Sequence, residues 1–355
     1  MTPELSVIIP TLNEAAALPT LLDQLQRQEG LGCEVVVADG GSSDATVALA
    51  QQAGARVVSA PRGRGAQMNA GARVATGAHL LFLHADSQLT STLQLREALD
   101  ALKGRSAIDG PRCAGHFALS FVRRRPGHAL FYRTLEEKTA LNRPGTINGD
   151  QGLLLSADYF RQLGGFDERL PFLEDPLIAA RIFAGGRWIV LPGALLTSAR
   201  RFESEGACRR YTVMALIMGL HAAGADAFFE RATEVYASQP ATARLRVGAH
   251  LALTRRVLRA AGWRGALRIL YRAGRYTRQN SWQPFFWCDV ALRARLGPGR
   301  NPCLAFHDRV IGPFTDNLLF DAIATLAITI WFLGVLPLAY ALLDGVSSRA
   351  QRGIS

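Results

Sequence analysis

Five acids in this sequence stand where a carboxylate can do chemistry. Asp86 follows the short apolar run His79 to Leu83 through His84 and Ala85. Asp39 ends the run Glu34 to Ala38. Asp150 lies inside the segment Asn148-Gly149-Asp150-Gln151-Gly152, and Glu174 and Asp175 stand side by side ahead of Pro176. An acid beyond the carboxyl end of a buried strand can hold a divalent cation, and the cation can hold a diphosphate. A second, separate carboxylate can take the proton of an attacking hydroxyl. Plainer uses exist for three of them: Asp86, with Ser87, can turn the chain and cap the next helix, and Asp39 and Asp150 can shape turns. Asp44 reads as a helix cap and Asp167 as a turn acid, while Arg62 and Arg64 suit either a phosphate or a solvated loop.

The elements that must position these acids alternate in type. Strands are expected over Leu5 to Ile9 (closed by Pro10), Glu34 to Ala38, Arg56 to Ser59 and His79 to Leu83. Helices fall between them, over Glu14 to Gln28 with Asn13 as its cap, Ala45 to Ala53, and Ala66 to Ala75. Short links and alternation predict a mostly parallel α/β sheet with right-handed crossovers. The first four polar clusters (Asn13-Glu14, Asp39, Arg62 to Gly65, Asp86) each follow a strand, so they are expected along one rim. Beyond Thr90 the pattern loosens. Helices near Leu93 to Leu102, His128 to Leu141 and Asp175 to Phe183 are expected, with strands at Gly115 to Phe121, Leu153 to Leu155 and Trp188 to Leu191.

In order, SVIIPTLNE, VVVADGGSSDAT, PRGRGAQMNAGA, LLFLHADS, NGDQG, LGGFDERLPFLEDPLIAARI and SARRF resemble family 2 glycosyltransferases of the GT-A fold, over about Leu5 to Phe202 with a weaker continuation to Ala237. The resemblance implies inverting transfer of a hexosyl or related sugar from a nucleotide-sugar donor, with Mg²⁺ or Mn²⁺. It further implies donor contacts from Pro10, Asn13, Glu14, Asp39, Gly65, Asn69 and Asp86, with Asp86 as the metal-binding acid. Asp175 beside Glu174 matches the pair that supplies the general base, and Asp150, Gln151 and Arg201 fall on the acceptor side. Two departures stand out. Where the family has two metal-side acids, this chain has His84-Ala85-Asp86, leaving His84 as a second ligand or a packing residue. The family's QxxRW motif appears only as Ser198-Ala199-Arg200-Arg201-Phe202.

Charge and hydropathy are uneven. The net charge is +11, yet residues 241–310 hold 14 Arg against Asp289 and Asp308, so the remainder is near neutral. Aromatics interleave with those arginines, an interfacial composition, and Ala322 to Leu343 is free of charge and long enough to cross a bilayer. A buried core helix is the other reading of that run. The basic stretch ahead of it fits the positive-inside rule. The expected organisation is a catalytic domain over 1–237, a basic helical or interfacial segment over 238–317, and a transmembrane or anchoring helix and tail over 318–355. Glu4 leads straight into a strand-like run, so no signal peptide is expected. The five scattered cysteines have no metal-ligand spacing and fit reduced thiols in a cytosolic compartment.

These readings place the catalytic domain in the cytosol at the inner face of a bacterial-type membrane, near a lipid-linked or membrane-proximal acceptor. No nucleic acid is expected as partner, because no base-stacking module is recognisable. A sugar-phosphate nucleotidyltransferase would want a Gly-rich basic loop after the first strand, where this chain has PTLNE. A dehydrogenase is weaker still, since no GxGxxG opens the first helix. A catalytically inactive, transferase-like scaffold at the membrane is the reading from another class.

Overall fold

In the computed structural model, residues 3–169, 173–237 and 244–343 are described. Leu170 to Phe172 of the LPFLED motif, the expected boundary at 237/238 on its C-terminal side, and the tail beyond Leu343 lie outside them. The chain divides into two compact units, Met1–Ala199 and Arg200–Ser355.

The first unit is built on a seven-stranded sheet: β1 (Leu5–Thr11), β2 (Cys33–Asp39), β3 (Arg56–Ser59), β4 (His79–Phe82), β5 (Cys113–Val122), β6 (Leu153–Ser156) and β7 (Arg187–Ser198), in the order β3-β2-β1-β4-β6-β5-β7. All pairings are parallel except those of β6, which runs against both β4 and β5. Helices α1 (Leu18–Gln26), α2 (Thr46–Gln52), α3 (Arg64–Val74), α4 (Gln94–Asp109), α5 (Ala129–Thr139), α6 (Ala157–Gln162) and α7 (Glu174–Gly185) flank it. β1 is buried at every position, as a central parallel strand covered on both faces must be. One core cluster packs α1 and α4 on one face through Leu18, Leu21, Leu95 and Leu102. The other packs α3, α6 and α7 on the opposite face through Met68, Phe160, Ile178 and Ile182.

This topology sets the rim. The C-terminal ends of β2, β1 and β4 lie side by side, with Thr11 opposite Asp39. Because β6 is antiparallel, with Phe82 opposite Leu153, the segment entering β6 arrives at that same rim. Helix α7 descends into β7, so its first turn also begins there.

Several elements differ from the sequence expectation. Helix α1 starts at Leu18 rather than Glu14, because Asn13 adopts a positive φ of 57° and its side chain turns to the neighbouring loop. Pro10 lies inside β1 rather than closing it; only β2 pairs at that level, with Ala38. β7 runs through Pro192 and Gly193 to Ser198, well past Leu191, and pairs with β5 across a bulge between His116 and Ala118.

The second unit is helical. Among the described residues it includes Ala207–Ala222, Val247–Ala260, Gly262–Gln279 and Trp282–Ala291, and a continuous helical run Leu318–Leu343 of mean hydropathy 2.2. That run is long and apolar enough to cross a membrane, and 17% of its most apolar window is buried.

Candidate active site

The rim gathers its charged groups around Arg64, the first residue of α3. Its guanidinium lies 3.8 Å from Glu174 Oε1, with Arg64 43% exposed and Glu174 4%. Burial works against the charge on Arg64, yet Glu174, Asp175, Asp150 and Asp86 together hold its pKa above the usual value. One guanidinium therefore sits in the field of all four of these acids. Asp86, Asp150, Glu174 and Asp175 are thus one electrostatic cluster.

Asp175 is its most perturbed member. Burial is the largest force raising its pKa, Glu174 and Asp150 add to it, and His84 and Arg64 oppose; the result is about 7. A carboxylate poised there is suited to accept a proton at neutral pH. The backbone just ahead is unusual too. Leu173 carries a φ of 79°, a conformation that bulky side chains avoid, and it presents the two acids at the first turn of α7.

His84 Nδ1 lies 2.8 Å from Asp150 Oδ1, and His84 Nε2 is buried with no hydrogen-bond partner. Burial and Arg64 disfavour the imidazolium, but the bond to Asp150 and the charges of Asp150 and Asp175 leave its pKa raised. Gly149 separates the two side chains. A Cβ there would collide with Asp175 Oδ2 and come within 2.8 Å of His84 Nε2. His84 and Asp175 therefore flank a single point that only a glycine leaves open.

Asp86 is half-buried, and among the described residues its carboxylate has no hydrogen bond or ion pair. No three His, Cys, Asp or Glu among the described residues form a ready metal cage. A lone uncommitted carboxylate fits Mg²⁺ or Mn²⁺ nonetheless, since such hard cations are often held by one or two carboxylates plus substrate phosphates and water. His84 meets that role less well, with one ring nitrogen committed to Asp150 and the other sealed from solvent.

The remaining expected donor residues are committed to the loops that shape the rim. Asp39 accepts from Gly41 N and Ser42 N at 2.9 Å, from Ser42 Oγ at 2.5 Å and from Thr11 Oγ1 at 3.1 Å. Burial pushes this carboxyl up, but those bonds hold it below its usual range. Asn13 Oδ1 accepts from Ser43 N at 2.8 Å, and the Glu14 N–H donates to Thr46 Oγ1 at 2.8 Å, so the β1 and β2 loops are stitched together. Asn69 bonds the backbone N–H and C=O of Phe166 and the carboxylate of Glu168. Gly65 lets α3 approach that same loop, since a Cβ there would sit 2.9 Å from Asp167 O.

Gln151, expected to touch an acceptor, is fully buried. Its amide bonds Asn148 N and the carbonyls of Thr139 and Thr146, so it shapes the Asp150 loop instead of lining the crevice. Arg201 belongs to the second unit, exposed on the helix Arg200–Glu205.

Sequence reasoning missed two contributors. Buried Gln67 donates to Thr11 O at 2.6 Å and Ala38 O at 3.0 Å, bridging the ends of β1 and β2. Gly149 carries no chemistry of its own. Its neighbour Asp150 drew attention because only side chains announce function in a sequence.

Residues 6–164 match the family model described as Glycosyl transferase family 2. A PGL/p-HBAD biosynthesis glycosyltransferase of Mycobacterium bovis and one of Mycobacterium tuberculosis are each 44% identical over 94 residues, 24% of this chain and 37% of theirs. The match thus spans little more than a third of those curated relatives. Among solved structures, the mannosyltransferase PcManGT from Pyrobaculum calidifontis, in complex with GDP-Man and Mn²⁺, aligns with a TM-score of 0.47 at 19% identity, over 95% of this chain and 88% of that one. S. aureus TarS 1–349 in complex with UDP aligns with a TM-score of 0.46 at 16% identity, over 82% and 87%. Residues 6–164, the stretch that carries β2 to β6 and nearly all of β1, are thus similar to glycosyl transferase family 2.

Proposed function

We propose that this chain moves a hexosyl or related sugar from a nucleotide-diphosphate sugar to an acceptor hydroxyl, with inversion, at the cytosolic face of a membrane. The observation that carries the reading is the pairing, in one cluster, of an unpartnered acid at the end of β4 with an acid of pKa about 7 on the facing turn.

Asp86 is the residue that would hold a divalent cation, Mg²⁺ or Mn²⁺, against the diphosphate of the donor. When bound, the cation supplies positive charge where the departing β-phosphate becomes negative. Arg64 adds fixed positive charge on the same side. Asp175, ionised, accepts the acceptor's proton as the hydroxyl attacks opposite the leaving group, a contribution of about 10²–10⁴-fold. Glu174, ion-paired to Arg64, helps keep Asp175 basic by like-charge repulsion. His84, oriented by Asp150, closes the acceptor side, and its imidazolium places a positive charge near the Asp175 carboxylate. Asn13, Glu14, Asp39, Gly65 and Asn69 shape the floor on which a nucleotide would rest, and Pro10 lies within β1 beneath it.

The domain reading that accompanies this is a catalytic part over 1–237, a basic and aromatic part over 238–317 and an anchoring part over 318–355. A lipid-linked acceptor suits such an anchored enzyme. The test is to incubate membranes carrying the chain with a panel of nucleotide sugars and Mn²⁺, and to read the product's anomeric configuration by proton NMR. Inverted product supports the proposal. Retained configuration refutes inversion, and absence of both hydrolysis and transfer across the panel favours an inactive scaffold.

A further inference from the structure

The helix Leu318–Leu343 has two unlike faces. Leu319, Ile323, Leu326, Ile330, Leu338 and Leu342 are exposed by 50–71% and recur at helical spacing, forming one apolar stripe from end to end. The opposite face is packed on protein through polar anchors at both ends. Asp321, 4% exposed, accepts from Arg278 Nε at 2.5 Å and from the Tyr271 hydroxyl at 3.3 Å. Nineteen positions further on, Tyr340 lies under the Arg209 guanidinium at 5.0 Å and 3.4 Å from Thr212 Oγ1.

The helix Gly262–Gln279 lies along this packed face. Arg278 meets Asp321, Gly274 abuts Thr325 so closely that a Cβ would collide with it, and Ile269 joins Ile328 and Phe332. The two helices therefore run antiparallel, and Ile269 stands level with the middle of Leu318–Leu343. Arg268 and Arg272, on either side of Ile269, are both exposed, as are Arg264 and Arg275. Were the apolar helix to stand across a bilayer, these arginines would be carried into the hydrocarbon, at about 2.5–3.5 kcal/mol each near the centre on insertion scales. Lying flat removes that conflict. The apolar stripe then enters one leaflet while the arginines stay at headgroup level, beside Trp263 and Trp331, both exposed and both of the type that favours this interface.

We propose that Leu318–Leu343 is an in-plane, monotopic anchor that binds one leaflet of an anionic lipid bilayer through its exposed stripe, with Arg264, Arg268, Arg272 and Arg275 contacting the headgroups. This deepens the membrane part of the function proposed above and replaces a crossing helix with a docked one. It does not depend on the sugar chemistry, because every readout below is made without donor. The charge surplus of residues 241–310 supplies the complementarity to acidic lipid.

The test uses the full chain with a peptide tag after Ser355, produced in a bacterial host. In inside-out membrane vesicles, added protease should remove the tag together with the catalytic domain; in right-side-out spheroplasts both should be protected. Tag cleavage in spheroplasts with the catalytic domain protected means that the helix crosses, and overturns the proposal. In flotation with phosphatidylcholine vesicles, inclusion of phosphatidylglycerol should raise bound protein at least tenfold. The variant Leu326→Glu/Ile330→Glu, both on solvent-exposed positions, should move to the soluble fraction with unchanged helical circular dichroism. If that variant stays on membranes, or if the wild type is a soluble oligomer indifferent to lipid, the leaflet is not the occupant of this face.

Discussion

Replacing Asp175 by Asn separates strain from chemistry. In the folded chain this carboxyl is raised from 3.8 to about 7, mainly by burial and then by Glu174. The folded pKa lies above the unfolded one, so ionisation costs stability. That cost is absent below about pH 4, grows as pH climbs toward 7 and is constant above it. Taken at face value the shift corresponds to ~4 kcal/mol. Asp175 is only half-buried and shares its field with Glu174, Asp150 and Arg64, so screening reduces the expected figure to about 1–2 kcal/mol. At ~2–4 °C per kcal/mol for a domain of this size, Asp175→Asn should raise Tm by about 2–8 °C at pH 8 and leave it unchanged near pH 4. The assay is scanning calorimetry at both pH values, paired with turnover, which should fall by about 10²–10⁴-fold. In the wild type, turnover should rise with pH through about 7, as the base ionises. A variant no more stable than the wild type at pH 8, or one that keeps its turnover, refutes the assignment of Asp175 as a strained base.

Other substitutions probe the rest of the cluster. Gly149→Ala should leave the fold intact, since its φ is ordinary, while the new methyl displaces Asp175 or His84; turnover should drop by about 10²-fold with nucleotide binding retained. Unchanged turnover would mean that the Asp175 position is not critical. Asn69→Ala removes the bonds joining α3 to Phe166 and Glu168, and should cost about 1–3 kcal/mol in chemical denaturation. Asp86→Asn, at a carboxylate with no protein partner, should change stability by less than about 0.5 kcal/mol in the same assay.

The half of the sheet that was legible in the sequence is the half whose strands are buried on both faces. Such strands read as unbroken apolar runs, and β1, β2, β3 and β4 fall within two residues of their expected ends. Leu153 to Leu155 was legible as a strand, but three leucines carry no direction, and the antiparallel β6 is what brings Asp150 to the rim. In sequence, Pro192 and Gly193 look like a stop, yet pairing with β5 on either side carries β7 through both. The acids were conspicuous in the sequence, Asp39 and Asp86 because each stands where a strand ends. Their partners were not, because Arg64 beside Glu174 and His84 beside Asp150 join residues far apart in the chain. Asn13 and Asp39 show the converse: residues read as reaching outward are bound into their own loops. Likewise, the arginines before the apolar helix look juxtamembrane in sequence, whereas the helix that bears five of them folds back along its flank.

The division of labour between the two sides of the rim is tested most directly by nucleotide binding and turnover measured together in three proteins. Thermal shift with UDP and GDP, with and without Mn²⁺, is read for wild type, Asp86→Asn and Asp175→Asn, alongside donor turnover. The account predicts that Asp86→Asn loses the Mn²⁺-dependent part of the shift, and that Asp175→Asn keeps it but stops turning over. An Asp86→Asn protein that binds nucleotide and Mn²⁺ as the wild type does would contradict it.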